Sequence, residues 1–254
     1  MQNNDIFQRN EMFWGKEFQQ YLQNVNVAVF GIGGVGSYAA EALARSGIGC
    51  FTIIDFDKTA PSNINRQLIA TCKTLDKYKV DLMRERILQI NPTAKVNAVN
   101  DFYTSDMNSL FEKNFDFVLD AIDSFAFKTA LIGYCMAKNI NIISSMGAAN
   151  RIDPSQLYIA DLKDVTKTNC AFASRIINRL KKDGIKEGLA MVLSSEKPIK
   201  PEKHTIEEKI TTNSGQTIEY KKITPATTPF VAPCAGIIMA SYVLQKLLEN
   251  KKQG

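Results

Sequence analysis

The chain has 254 residues, 45% of them hydrophobic and 22% charged, which is enough for one large α/β domain or two small ones. That balance excludes a disordered chain, a collagen and a coiled-coil rod. The net charge is +5, and the excess is confined to the C-terminal third: residues 163–222 hold 13 basic and 8 acidic groups, residues 1–162 hold 15 and 17.

In chain order, the start MQNNDIFQRNEMFWGKEF lacks the basic-then-apolar pattern of a secretory signal. Apolar residues at Met12, Phe13, Phe18 and Leu22 predict one helix from about Asn10 to Leu22. Val25–Phe30 reads as a buried strand, followed by the glycine loop Gly31-Ile32-Gly33-Gly34-Val35-Gly36 and a helix from Ser37 to Ser46, stopped by Gly47. The strand Cys50–Ile54 ends at Asp55. Helices over Lys77–Gln89 and about Lys128–Lys138 then alternate with strands over Lys95–Val99, Phe115–Ala121 and Ile140–Ser144. This alternation is the signature of a parallel sheet with crossover helices.

After residue 150 the rhythm changes. Gln156–Ala160 and Leu189–Ser194 read as strands flanking a basic helix, about Ala171–Asp183, closed by Gly184. Polar residues Lys197–Lys222, which include the single histidine His204, are expected to form a mobile loop. The uncharged stretch Ile223–Gln245 carries Pro225, Pro229 and Pro233, so its apolar part reads as a packing helix, roughly Ala235–Glu249, too short to span a bilayer. Five scattered cysteines make neither a disulfide framework nor a zinc site and point to a reducing cytoplasm.

The glycine loop is the first chemical signal. A strand turning sharply into a helix needs glycines where a Cβ would clash, and the exposed N–H groups at the helix start attract phosphate. Gly31, Gly33 and Gly36 fit the dinucleotide fingerprint, with Asp55 at the place of a ribose-binding carboxylate. NAD is the obvious ligand, but Ser62-Asn63-Ile64-Asn65-Arg66-Gln67 follows directly, and an adenine–ribose end needs no arginine there. A triphosphate undergoing bond rearrangement does, because fixed positive charge stabilises the charge on its oxygens. Lys79 supplies a second cation, and Asp123, in the segment Asp120–Ser124, is a carboxylate for Mg²⁺.

These residues have a known pattern. GIGGVGSYAAEALARSGIG, IIDFD, SNINRQ, Lys79 and DAIDS together resemble the adenylating domain shared by ubiquitin-activating enzymes and sulfur-carrier adenylyltransferases, over about residues 7–150. The resemblance implies a doubly wound Rossmann-like α/β sheet of the E1 type, extended by C-terminal strands and helices. It further implies a single domain over 1–254, with a nucleotide-binding core at 1–150 and an extension at 151–254. It places Gly31, Gly33, Gly34, Gly36, Asp55, Asp57, Asn63, Asn65, Arg66, Gln67, Lys79 and Asp123 around ATP. Arg66, Lys79 and Asp123 are then catalytic, Asp123 through the metal. Arg9, in FQRNEMFWG, looks like the arginine that reaches into a neighbouring subunit's site, which implies a homodimer.

Two CxxC pairs, usual in the sulfur-carrier enzymes, are missing, and ubiquitin-type enzymes need more domains than 254 residues hold. SSMGAANRIDPSQLYIADL, SRIINRLKKDGI, SSEKPI and FVAPCAGIIMASYVL are instead similar to the tRNA threonylcarbamoyladenosine dehydratase family, over nearly the whole chain. This implies ATP-dependent cyclisation of N6-threonylcarbamoyladenosine beside the tRNA anticodon, through an acyl-adenylate. The alternative is an adenylyltransferase that activates the C-terminal glycine of a small carrier protein. The resemblance also admits a sulfur-transfer protein as partner and implies no membrane. Ser145, Gly147 and Ala148 then form a small-residue loop facing the modified base, and Arg175, Arg179, Lys181, Lys182 and Lys186 become tRNA phosphate contacts. Asn169-Cys170 departs from the family's Asp-Pro and leaves the entry to the basic helix open. Cys234 invites a nucleophile reading that its apolar surroundings disfavour.

Overall fold

Strands covered on both faces are mostly apolar, and the central strands of this protein follow that rule except at their C-terminal ends, where Asp120, Ser144 and Ser145 are buried. A computed structural model describes residues 6–101, 105–200, 205–211, 217–223 and 225–253. The strands of its main sheet are β1 (Asn26–Phe30), β2 (Cys50–Ile54), β3 (Lys95–Val99), β4 (Phe117–Asp120), β5 (Ile142–Ser145), β6 (Leu157–Asp161) and β7 (Ala190–Ser194). Their order is β3-β2-β1-β4-β5-β7-β6, with all neighbours parallel except the antiparallel pair β6–β7. Strands from both sides of residue 150 therefore share one sheet.

Helices cover both faces. On one lie α2 (Lys16–Leu22), α3 (Gly36–Ser46), α4 (Lys79–Ile90) and α7 (Val231–Gln253), burying Phe18, Leu43, Met83, Met239 and Val243. On the other, α5 (Phe125–Ala137) and α6 (Ala171–Lys182) bury Leu131, Ile132, Ile176 and Leu180. The chain first builds outward from β1 to β3 and then returns to place β4 on the other side of β1. The loops after β1 and β4 consequently diverge around a crevice, which is where open α/β sheets bind ligands.

Four expectations are corrected. The first helix is two, α1 (Gln8–Trp14) and α2, because Gly15 takes φ +90° and breaks the helical path between them. The polar stretch after Lys197 is not a loop throughout: β8 (Thr205–Thr211) and β9 (Thr217–Ile223) pair antiparallel as a separate ribbon. Its threonines, isoleucines and tyrosine suit a strand, and the many charged residues among them hide the apolar alternation. His204 lies outside the described residues. The helix expected from Lys77 begins at Lys79.

The last helix is also longer than expected. It takes in Pro233 in its first turn, where a missing N–H costs no helical bond. Val231–Lys251 is long and apolar enough to cross a membrane, but half of its most apolar window is packed inside the fold, against α3 and the sheet. α3 itself stops where expected, at Gly47 with φ +93°.

A Cβ on Gly36 would sit 1.8 Å from the carbonyl oxygen of Gly31, so the strand-to-helix turn has no room for a side chain. A Cβ on Gly133, inside α5, would meet nothing within 4 Å. Gly36→Ala is therefore expected to lower unfolding free energy by about 3 kcal/mol or more. Gly133→Ala is expected to be neutral or stabilising by about 0.5–1 kcal/mol, since alanine is the better helix former. Equal losses of the two variants in denaturant unfolding would contradict this account of the turn.

Candidate active site

The crevice is built from two close approaches of backbone. Gly31, at φ +87°, lies against the segment after β4: a Cβ there would be 2.8 Å from the carbonyl oxygen of Ala121. Beside it, Gly34 faces the stem of Arg66 and the side chain of Ala232, with built-Cβ distances of 3.2 and 3.3 Å. The N-terminus of α3, the 62–67 segment, the β4 loop and the start of α7 thus converge on one place. At the start of α3 the Ser37 N–H donates to the Gly33 carbonyl and the Ala39 N–H to the Val35 carbonyl, both at 3.1 Å, and the first turn carries the positive end of the helix dipole.

Asp55 ties the two strand ends together. One carboxylate oxygen accepts the Ile32 N–H at 2.6 Å and the other the Asp57 N–H at 2.8 Å. Lys79, almost wholly buried, donates to Asp57 at 2.6 Å and lies 3.8 Å from Asp55. Burial pushes the Asp55 carboxyl above its ordinary range, and the nearby Lys79 charge opposes that shift. Asp55, Asp57 and Lys79 are brought together as expected. Each carboxylate oxygen still has lone-pair capacity for a hydroxyl donor.

Arg66 donates to the Ser62 carbonyl at 2.9 Å and to Asn65 Oδ1 at 3.0 Å. Burial lowers its affinity for the proton, and the negative charge of Asp123 across the crevice opposes that effect. Asn63 accepts the Ala60 N–H and so holds the turn rather than facing the crevice. The amide of Asn65 is committed to the Thr227 carbonyl, at 3.0 Å. Gln67 is buried beside Gly33, and its Oε1 has no hydrogen-bond donor, an orphaned acceptor that a ligand donor would satisfy.

Asp123 is exposed at the C-terminal end of β4. No group of three or more His, Cys, Asp or Glu side chains that could cage a metal occurs among the described residues. The donor set still fits Mg²⁺, which keeps several waters and is held through one or two carboxylates plus substrate phosphates.

One cluster escaped the sequence reading. Lys128 is fully buried and donates to Asp120 at 2.7 Å and to Ser144 at 3.1 Å, while Ser144 donates to the same Asp120 oxygen at 2.6 Å. Burial pulls the Lys128 ammonium down, and Asp120 opposes it. The other Asp120 oxygen accepts the Ile122 N–H at 3.1 Å and shapes the turn that presents Asp123. A single lysine within the apolar run of α5 was the available signal.

The basic helix begins beside this turn. The Arg175 guanidinium lies 4.8 Å from the ring centroid of Phe125, two residues after Asp123. Arg175, Arg179, Lys181, Lys182 and Lys186 are all exposed. Arg179 is paired with Asp183 at 2.7 Å, and Lys181 donates to the Val165 carbonyl. Cys170 settles the entry to α6: it occupies the N-cap, where its sulfur accepts the Ala173 N–H at 3.5 Å. Cys234 sits half-buried in the first turn of α7.

Arg9 is not at this crevice. It is exposed on α1, and its neighbour Asn10 donates to the Arg45 carbonyl at the far end of α3. Nine residues of helix separate Arg45 from Gly36, about 14 Å.

Comparison with known proteins shows the family and the fold. Residues 7–253 match the ThiF family. The chain belongs to the ThiF family. Within it, the chain is 41% identical to the tRNA threonylcarbamoyladenosine dehydratase of Bacillus subtilis, over 96% of this chain and 95% of that one. The structure of the Escherichia coli tRNA N6-threonylcarbamoyladenosine dehydratase in complex with ATP superimposes with a TM-score of 0.85 at 32% identity, covering 99% and 97% of the two chains. The Escherichia coli molybdopterin-synthase adenylyltransferase is 32% identical over 53% of each chain. The family resemblance and the E1-type α/β fold are borne out.

Lys79→Met is expected to raise the Asp55 pKa further, as read from its carboxyl ¹³C titration. The folded protein holds this proton more tightly than the unfolded chain does, so ionising Asp55 works against folding. Its contribution to stability is fully present below the unfolded pKa and is lost as pH rises through the folded one. Lys79→Met extends that loss to higher pH. Identical Asp55 titrations in the two proteins would rule out the coupling.

Proposed function

We propose that this protein closes the threonylcarbamoyl side chain of tRNA N6-threonylcarbamoyladenosine into its cyclic form at the expense of ATP. The observation that carries the reading is one crevice in which a glycine loop, Arg66 and Asp123 adjoin the small-residue loop Ser145–Ala148 at the end of β5. The whole-length similarity to dehydratases, against the half-length similarity to a carrier-protein adenylyltransferase, favours tRNA as the acceptor.

Gly33 and Gly34 leave the α3 N-terminus open to the phosphates, and Asp55 takes the ribose hydroxyls. The threonyl carboxylate attacks the α-phosphorus of ATP; a bond from carboxyl oxygen to phosphorus forms, the α–β bridge breaks, and pyrophosphate leaves. Arg66 and Lys79 stabilise the charge that builds on the phosphate oxygens. Asp123 would hold Mg²⁺, which supplies charge neutralisation at the phosphates. The carbamoyl nitrogen then attacks the activated carbonyl carbon and loses its proton. AMP departs, and the modified base has lost one water. The nitrogen and the activated carbonyl belong to one side chain, so this second step is intramolecular, and the crevice holds that side chain in the bent conformation that brings them together.

Arg9 serves the site of a second copy in a homodimer. Its distance from its own crevice supports that reading, as do Met12 and Phe13 on the same helix, each 82% exposed and apolar. Arg175, Lys182 and Lys186 contact tRNA phosphates without reading sequence.

Mass spectrometry of nucleosides from threonylcarbamoylated tRNA, incubated with protein, ATP and Mg²⁺, tests the activity. The expected outcome is loss of one water from the modified adenosine, only with ATP present; an unchanged nucleoside would transfer the case to a carrier-protein acceptor. Asp123→Ala should lower pyrophosphate release by about 100-fold or more while tRNA binding survives. Arg9→Ala and Lys79→Ala should each be inactive alone and regain partial activity when mixed. Absence of rescue in the mixed sample would count against a shared site.

A further inference from the structure

The segment 226–228, between the β8–β9 ribbon and α7, is bonded on two sides. Towards the small-residue loop, the Asn150 N–H donates to the Ala226 carbonyl and Asn150 Oδ1 accepts the Ala226 N–H, both at 2.8 Å. Thr228 Oγ1 donates to the Arg151 carbonyl at 3.0 Å. Arg151 is buried, and its Nη1 donates to the carbonyls of Ala149 at 3.0 Å and Gly147 at 3.4 Å. Its Nε donates to the Glu196 carbonyl at 3.3 Å. The position of this segment is therefore fixed to the backbone of the loop after β5.

Towards the phosphate side, Asn65 Nδ2 donates to the Thr227 carbonyl at 3.0 Å and lies 3.4 Å from Thr227 Oγ1, while Asn65 Oδ1 accepts from Arg66. Hydrogen bonds joined by short stretches of backbone thus lead from Gly147 through Arg151 to Thr228, across the Thr227–Thr228 peptide bond, and on through Asn65 to the Arg66 guanidinium. Asn150 anchors the run at its centre. It sits at φ +61°, a conformation that asparagine tolerates better than most residues and that glycine adopts freely.

We infer that Asn150 is a positioning residue that acts through residues 226–228 and Asn65 to hold Arg66 in register with the loop after β5. The inference rests on the reading of that loop as the acceptor side and of Arg66 as the phosphate cation. Asn65 is then a tether and not a phosphate ligand: its two amide donors face Thr227, and its oxygen is held by Arg66. The physical consequence is that the place of Arg66 depends on a residue 84 positions away in sequence, across the crevice. Arg66 is also bonded to the Ser62 carbonyl at 2.9 Å, and the Asn65 contact adds the constraint that joins it to the far side of the crevice.

The test uses the intact protein and needs no reaction. Asn150→Gly deletes the Oδ1 acceptor without backbone strain, and Asn150→Asp keeps an acceptor in the same place. Amide hydrogen exchange is followed at Arg66 and Gln67, whose N–H groups donate to the Asn63 carbonyl. Asn150→Gly should speed exchange there by about tenfold, leave the amides of α4 unchanged, and Asn150→Asp should behave as the native protein. Unchanged exchange at Arg66 and Gln67, or equal acceleration in α4, overturns the inference.

Kinetics add a second readout. Asn65→Ala and Asn150→Gly should each slow pyrophosphate release about tenfold at unchanged ATP affinity, and the double variant no more than either alone. Multiplied losses in the double variant overturn the inference. A native protein that releases no pyrophosphate with modified tRNA instead overturns the proposed function, and the exchange measurement still decides this point.

Discussion

The organising constraint is the contact of backbone with backbone at the switch between β1 and β4. Gly36 folds back onto the Gly31 carbonyl, and Gly31 onto Ala121, at distances that admit no Cβ. Because no side chain intervenes, the start of α3 and the loop after β4 share one crevice. Everything else in the candidate site is hung from those two strand ends.

Two lysine–carboxylate clusters, centred on the buried Lys79 and Lys128, set the geometry on either side of the crevice. Lys79 with Asp55 and Asp57 closes the β2 side; Lys128 with Asp120 and Ser144 closes the β4 side. Burying charge is costly, and such pairs seldom add net stability. Their carboxylates, however, each accept a backbone N–H from a loop of the site, Ile32 in one case and Ile122 in the other. That cost is offset by fixed loop positions, which is what preorganised electrostatic catalysis requires. Ser144 also lies next to the small-residue loop, so the second pair joins the turn after β4 to the loop after β5.

The C-terminal third completes the site. β7 and β6 extend the sheet, α7 packs on α3, and Gly236 allows that crossing, since a Cβ there would meet the Val35 carbonyl at 2.2 Å. The residues just before α7 bond both to the 62–67 segment and to the loop after β5. The basic helix starts at the same edge, with Arg175 over Phe125. The exposed cations of this helix are thereby presented beside the crevice.

The sequence by itself determined the strands of the main sheet, the stop of α3 and the glycine turn, but neither the β8–β9 ribbon nor the break at Gly15. Cys50–Ile54 and Lys95–Val99 are strands at their expected bounds, and Gly47 ends α3, because apolar runs and left-handed glycines act through neighbours in the chain. Gly31, Gly36 and Asp55 were legible for the same reason: a tight turn and a strand end are local facts. Only the tertiary structure decided which partners those residues meet. Asn65 faces Thr227, 162 positions away, Asn150 faces Ala226, 76 away, and α1, which carries Arg9, is bonded to the far end of α3. Such pairings follow from strand order and helix crossing, which no local pattern encodes, and so the direction of Asn65, the Lys128–Asp120 pair and the carbonyl contacts of Arg151 were not readable in the chain.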